Sequence, residues 1–358
     1  MPELVDVARA VSFMRKHLVG KTIAKVTANE DSMIFGKANT SHTEVIKAFT
    51  GKKITSVGRQ GKYFYLLMSQ PPHAVMHFGM TGWMMIKGVD TQPYEAHFER
   101  SLWPPKYEKL RFIFDDNETE AALCDPRRLG RVFVVDSPAD KIKEQPPLSQ
   151  GGPDPVLDKE VITKTWLSEK FERRDVPVKA MLMDQRFLSG LGNWMSDEVL
   201  YHAKVSPLAR SNTLTSSQIS DLHSALQYVC STAIDLNGII PDLPSDWLVH
   251  HRRKKQGLAM PNGDKVEFTK VGGRTTVYVP AVQEKKAEKK SGDKKRKAKK
   301  EPAKKEPDDE DSEAKEDPED KKRKMKKESE DEEREEKGES DSNHRRRSAR
   351  VRAAKKMG

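Results

Sequence analysis

Residues 178–201, VKAMLMDQRFLSGLGNWMSDEVLY, constrain this chain more than any other stretch. Met181, Leu182, Gln185 and Leu188 recur at helical spacing over 179–188, and Met195, Val199 and His202 do so over 194–202. Between them stands Ser189-Gly190-Leu191-Gly192-Asn193, whose two glycines allow the positive φ of a tight reversal. Asn193 is placed to cap the second helix. The segment therefore reads as a helical hairpin whose turn offers backbone N–H groups at a fresh helix N-terminus, where an anion can bind. On periodicity alone, an ordinary helix pair packed in a core is the commoner outcome.

A chain of 358 residues has room for two domains and a sizeable core. Its formal net charge of +10 favours an anionic partner such as nucleic acid. Cys124 and Cys230 are its only cysteines, too few for a disulfide framework or a four-cysteine zinc site, and they suit a reduced compartment. No run of about 18 apolar residues appears, and the first residues lack a signal-peptide pattern. A soluble, non-secreted protein with no membrane partner is expected.

The wording of the hairpin says more than its periodicity. Lys179, Asp184-Gln185, Gly190-Leu191-Gly192-Asn193 and Asp197-Glu198 together resemble the helix–two-turns–helix element of the formamidopyrimidine-DNA glycosylase and endonuclease VIII family. At the other end of the chain, Leu4, Val7, Ala8, Val11, Met14 and Leu18 predict an amphipathic helix over 3–18, with proline and two acids near its start. Members of that family begin Met-Pro-Glu-Leu, lose the initiator methionine and use the proline amine as nucleophile. The resemblance thus assigns the nucleophile to Pro2 and the neighbouring acid to Glu3.

The chemistry suits these residue types. A free secondary amine can attack the sugar C1′ and go on to an iminium ion, as lysines do in Schiff-base catalysis. A helix's positive end disfavours the ammonium form, and a carboxylic acid beside it can protonate the ribose O4′. This chain departs from the family's usual continuation, Pro-Glu-Val-Glu, and has Val5-Asp6-Val7-Ala8 instead. Asp6 keeps a carboxylate on a shorter arm, Val5 replaces a proline and Ala8 a carboxylate.

From about 21 to 135 the chain reads as short strands with turn residues between them: 22–28, 53–57, 63–68, 74–77, 83–87, 110–114 and 132–135. That pattern argues a β-sandwich. Lys62 opens a strand after the Gly58-Arg59-Gln60-Gly61 turn, and by itself reads as a solvated strand end. The resemblance makes Lys62 a catalytic residue, contacting the DNA backbone at the lesion and needed for the chemistry. In His77-Phe78-Gly79-Met80-Thr81-Gly82 the methionine sits in a glycine-flanked turn, held out or tucked under the sheet. The resemblance makes Met80 a wedge that fills the hole left by a flipped nucleotide, with His77 on a nearby phosphate. An apolar wedge offsets part of the few kcal/mol that extrusion costs. Asp125-Pro126-Arg127-Arg128-Leu129-Gly130 is a turn with two adjacent cations, by itself a surface turn or an ion pair with Asp125; the resemblance makes Arg127 and Arg128 DNA contacts. Arg127 would pair with the orphaned base and Leu129 would wedge beside it, where most relatives carry phenylalanine. Leucine cannot stack on a base as an aromatic does.

Breakers crowd 138–156, which reads as an interdomain linker. Helices are expected over 159–171 and 216–236. The resemblance makes Lys179 and Asn193 phosphate contacts, with Lys179 close to the flipped base. Bacterial relatives carry a four-cysteine zinc finger near the C-terminus, which this chain cannot build because residues 231–358 hold no cysteine. Residues 247–283 resemble instead the zincless finger of the plant and fungal branch, with Arg274 gripping phosphates. Neither metal nor cofactor is expected. Beyond about 284 the composition collapses to Lys, Arg, Glu, Asp and Ser, which predicts a disordered tail. Its clusters Lys294-Lys295-Arg296-Lys297 and Lys321-Lys322-Arg323-Lys324 read as nuclear-import or nucleic-acid patches, or as binding sites for repair or import proteins.

The expected fold is α+β: an N-terminal β-sandwich with flanking helices, then a helical domain bearing the helix–two-turns–helix and a zincless β-hairpin finger. The boundaries are 1–137, a linker 138–156, 157–243, 244–283 and the tail 284–358. The resemblance implies a monomeric nuclear enzyme. It would excise oxidised purines (formamidopyrimidines, hydantoins, 8-oxoguanine) from double-stranded DNA and cut at abasic sites. The rival is a damaged-DNA-binding protein on the same scaffold with impaired catalysis. A third reading borrows only the hairpin and buries the N-terminus.

Overall fold

The computed structural model describes residues 2–91, 102–252 and 259–284; the charged tail beyond Glu284 lies outside the described residues. Helix α1 (Leu4–Leu18) starts at Glu3, whose N–H donates to the Asp6 carboxylate at 2.7 Å. Its buried stripe is Leu4, Val5, Val7, Ala10, Val11, Met14 and Leu18. Strand β1 (Ile23–Ala28) follows, then a turn, then helix α2 (His42–Phe49) and strands β2 (Ile54–Gln60), β3 (Tyr63–Met68), β4 (His73–His77), β5 (Trp83–Ile86), β6 (Glu108–Phe114), β7 (Glu120–Cys124) and β8 (Arg131–Val135).

These strands form two antiparallel four-stranded sheets, ordered β1-β6-β7-β5 and β2-β3-β4-β8. Their inner faces share one core with most of α1, centred on Phe64, Phe78, Trp83, Phe112 and Phe114. Phe78 lies between Phe64 and Trp83, with ring centroids 4.4 and 5.3 Å away. The sandwich thus follows the alternation of the sequence. Two of its elements were not read there: α2, with its Ser41–Glu44 capping box, and β7.

The second half is helical: α3 (Lys164–Glu172), α4 (Val178–Leu182), α5 (Asn193–His202) and α6 (Ser216–Asp235). The helix expected from 159 starts later because the Thr163 hydroxyl caps it, accepting from Trp166 N–H at 3.1 Å. The helix expected through 188 stops at Leu182. Asp184 takes the Arg186 N–H on its side chain, while its carbonyl accepts from Phe187 and Leu188. A short polar side chain here outcompetes the helical ladder. Strands β9 (Glu267–Val271) and β10 (Arg274–Tyr278) make the C-terminal hairpin, closed by helix α7 (Pro280–Gln283).

The helical core contains Leu4 and Val5 from the very start of the chain. Both are buried, each contributing about 1.5–3 kcal/mol. Helix α1 is therefore split between two cores, its first turn in the helical one and the rest in the sandwich. That division sets Pro2 and Glu3 at the seam of the fold.

Candidate active site

The tip of the hairpin closes around Glu3. Its carboxylate accepts from the N–H groups of Gly192 (2.8 Å), Trp194 (3.1 Å) and Met195 (3.2 Å), and Leu4 N–H donates to the Gly190 carbonyl at 2.9 Å. The anion site foreseen at this helix N-terminus is thus filled by the chain's own acid. Gly192, not Asn193, is the N-cap, which corrects the expected capping role of Asn193; the Asn193 amide donates instead to the Thr275 carbonyl at 2.9 Å. Both glycines are needed. Gly190 has φ +106°, and a Cβ there would lie 2.5 Å from Leu4 Cδ1. A Cβ on Gly192 would lie 2.6 Å from Glu3 Cγ and closer still to its carboxyl atoms.

Burial raises the Glu3 carboxyl above the ordinary carboxylate range, against the opposing pull of the Lys62 charge and the backbone N–H groups. Burial likewise raises Asp6, to about 6, while its hydrogen bond from Glu3 N–H pulls the other way. A protonated acid is therefore accessible here in a way it is not on the surface.

Lys62 reaches this region because its turn is pinned. Gly61 has φ +56° and a Cβ there would meet Ser189 Cβ at 2.5 Å, so the β2–β3 turn abuts the hairpin backbone. Gly61 N–H donates to the buried Asp154 carboxylate at 2.9 Å, and Arg59 pairs with the same group. Desolvation lowers the Lys62 pKa; the charges of Glu3 and Asp6 raise it and that of Arg274 lowers it again. Arg274 is exposed and follows Gly272 and Gly273, whose φ values of +56° and +74° make the β9–β10 turn. Glu3, Asp6 and Arg274 thus all lie within electrostatic reach of Lys62.

A second group lies on one platform. The fully buried Asp125 carboxylate accepts from the N–H groups of Arg127 (3.1 Å), Leu129 (2.7 Å) and Gly130 (2.7 Å) and from the Thr81 hydroxyl (2.8 Å). Gly79 has φ +66°, and a Cβ there would lie 2.6 Å from Gly130 N. The turn of Met80 and the loop of Arg127 and Leu129 therefore stack backbone on backbone. Met80 and Leu129 are half-buried and Arg127 is exposed. Burial, with the Lys62 and Arg131 charges, lowers His77 to about 4. Its Nδ1 accepts from Gly79 N–H at 2.9 Å, so near neutral pH only a neutral Nε2–H remains for a phosphate. Arg128 gives its Nε and Nη2 to Asp31.

Lys179 corrects an expectation. It is wholly buried, its Nζ 2.5 Å from Asp197 Oδ1 and donating to Thr276 Oγ1 at 2.7 Å, so in this conformation it cannot touch a phosphate or a base. Asp197 also pairs with Arg252 and accepts from Val277 N–H at 3.2 Å. Glu198 accepts from the N–H groups of Leu248 (2.9 Å) and Val249 (2.8 Å). Asp197 of α5 thus holds strand β10, and Glu198 holds the segment at Leu248–Val249 that precedes the C-terminal hairpin. A four-thiolate zinc ion does not fit it, because it contains no cysteine. Sequence reasoning gave no role to Asp31, Asp154 or Arg252, and read Asp125 only as an ion-pair partner of its own turn, where the Asx-prone Asp125-Pro126 pair carries a local signal.

Comparison with known proteins gives a consistent picture. Residues 1–132 match the formamidopyrimidine-DNA glycosylase N-terminal domain, 152–243 the H2TH domain of the same glycosylases, and 247–280 the formamidopyrimidine-DNA glycosylase-like C-terminal domain. A formamidopyrimidine-DNA glycosylase of Arabidopsis thaliana is 35% identical over 294 residues, covering 81% of this chain and 73% of that protein. One from Desulforamulus reducens is 31% identical over 296 residues, covering 80% and 100%. The crystal structure of the Lactococcus lactis enzyme bound to DNA containing an abasic site superposes with a TM-score of 0.65 at 25% identity, covering 79% of this chain and all of that one. A structure of MutM with DNA containing carbocyclic 8-oxoG gives the same score and coverage at 26% identity.

Proposed function

This chain belongs to the formamidopyrimidine-DNA glycosylase family, and from that premise we propose that it is a bifunctional DNA-repair glycosylase and abasic-site lyase whose nucleophile is the amine of Pro2. One observation carries the reading: the hairpin clasps Glu3 through three backbone N–H groups, which holds the preceding residue at the seam between the two cores. Removal of Met1 turns the Pro2 nitrogen from an amide into a secondary amine. That amine attacks C1′ as the bond from C1′ to the damaged base breaks and the base leaves with a proton. Glu3, its carboxyl raised by burial, delivers a proton to O4′ and opens the ring to the iminium ion. Loss of a C2′ proton then expels the 3′ phosphate, a second elimination expels the 5′ phosphate, and water releases Pro2.

Lys62 and Arg274 supply positive charge for the phosphates around the reacting sugar, and Asn193 stands at the hairpin edge beside them. Met80, Arg127 and Leu129 fill the void in the duplex, with Arg127 against the orphaned base. The substrates on this reading are oxidised purines, chiefly ring-opened formamidopyrimidines and hydantoins. The basic clusters of the tail support a nuclear location.

The rival reading keeps DNA binding and impairs catalysis because of Val5 and Asp6. Two observations favour the enzyme. Val5 is accommodated in the helical core, and Asp6 on its shorter arm still reaches the Glu3 N–H at 2.7 Å. Incubation with a duplex carrying one formamidopyrimidine decides between them. The enzyme excises the base and leaves a one-nucleotide gap with phosphate at both ends. Salt-sensitive binding without nicking would establish the rival.

A further inference from the structure

Arg128 lies between the two residues assigned to the void, yet its own side chain is already engaged. Its backbone adopts φ +55°, a left-handed conformation that non-glycine residues seldom hold without support. The support comes from Asp31, 97 residues away on the connection between β1 and α2. Asp31 Oδ2 accepts from Arg128 Nε at 2.9 Å and Oδ1 from Nη2 at 3.0 Å, a fork-on-fork pair that sets direction as well as distance. Asp31 takes the Nε/Nη2 edge of the guanidinium, which fixes the direction of the whole side chain.

Asp31 is itself held. It is 6% exposed, and its Oδ1 accepts from Met33 N–H at 3.0 Å and Ile34 N–H at 3.2 Å. Lys109 Nζ stands 3.4 Å from Oδ2, and the Ile34 carbonyl accepts from Val132 N–H at 3.4 Å. The loop is thus gripped from two sides. Asp125 holds its backbone N–H groups, and Asp31 holds the one side chain whose direction follows from the left-handed residue. Loss of that grip frees φ at 128 and with it the directions in which Arg127 and Leu129 leave the loop.

From this geometry we infer that Asp31 is a positioning residue for recognition of the base opposite the lesion, acting through Arg128 as a strut. The inference rests on the assignment of Arg127 to that base, and its test needs no catalysis. Affinities are measured for duplexes carrying a tetrahydrofuran abasic analogue opposite each of the four bases, for the full chain and for Asp31→Asn. The wild type is expected to prefer some opposite bases, and Asp31→Asn to shrink the ratio between best and worst about fivefold or more, leaving the worst pairing unchanged. Arg128→Gly serves as the second variant, because glycine accepts φ +55° without unfolding the loop but, with no side chain for Asp31 to hold, is not confined to it. It is expected to lose the preference as well, at an unchanged melting temperature.

Three results would overturn the inference: a wild type indifferent to the opposite base, an unchanged ratio in Asp31→Asn, or a uniform affinity loss in Arg128→Gly with a salt slope shallower by about one. The last would make Arg128 a phosphate contact. Cleavage of a true abasic-site duplex by the wild type is scored separately. Its absence, with the binding preference intact, would sink the catalytic reading and leave this one standing.

Discussion

Gly192→Ala isolates the clasp on Glu3. Gly192 has φ −124°, which any residue adopts, so the substitution adds no backbone strain. Its added methyl would sit 2.6 Å from Glu3 Cγ and nearer to the carboxyl carbon, a contact that only displacement of the acid relieves. Displacement removes three hydrogen bonds to a carboxylate, which together are the cap of α5. A lost cap costs about 1–2 kcal/mol and a hydrogen bond to a charged group about 1.5–3 kcal/mol. With partial replacement by water, a net loss of about 3 kcal/mol follows, or roughly 6–12 °C in melting temperature for a folded body of this size. Misplacing a proton donor lowers the rate by about 100-fold or more. The assay pairs thermal unfolding with single-turnover excision, and Gly20→Ala is the control. Gly20 has φ +88° with open space around its missing Cβ, so that variant bears backbone strain alone and keeps full excision. Gly192→Ala melting within about 2 °C of the wild type and excising within about threefold of its rate would refute the clasp.

Three further outcomes follow from the same geometry. The His77 imidazole, followed by NMR, stays neutral until the pH falls to about 4; a midpoint near its ordinary value would remove it from the buried pocket beside Lys62. Asp6 is raised from 3.8 to about 6, so the stability it contributes is complete below about 4 and is lost as the pH rises through 6. Asp6→Asn should therefore flatten the decline of stability across that window, and an unaltered urea-midpoint profile would contradict the shift. Asp197→Asn leaves Lys179 and Arg252 without their shared counter-charge, at a cost of about 3–5 kcal/mol. Hydrogen exchange at Val277 should accelerate, and unchanged protection there would show that the hairpin is held by other means.

How much of this was legible depended on how local the cause was. Gly190 is demanded by a positive φ within its own turn, and the sandwich strands announce themselves by alternation, so both could be read directly. The cap of α5 could not, because it comes from Glu3, 189 residues before Gly192. Asn193 has the right chemistry for a cap, but an acid from the far end of the chain already fills the N-terminus. Lys179 is the same lesson in reverse. Its motif suggests a surface cation, yet Asp197 and Thr276 enclose it, and nothing near 179 foretells a partner on β10. Helix α2 has a capping box at Ser41 and Glu44, but the strand pattern on both sides masks its eight residues.

The central claim is that the reacting nitrogen belongs to Pro2. Borohydride reduction during incubation with a lesion-bearing duplex, followed by peptide mapping of the adduct by mass spectrometry, tests it directly. The expected result is a stable protein–DNA adduct on an N-terminal peptide that begins at Pro2, with the mass added to the proline nitrogen and no adduct from Pro2→Gly. An adduct mapped to Lys62 or any other lysine, or an active protein that still carries Met1, would contradict it.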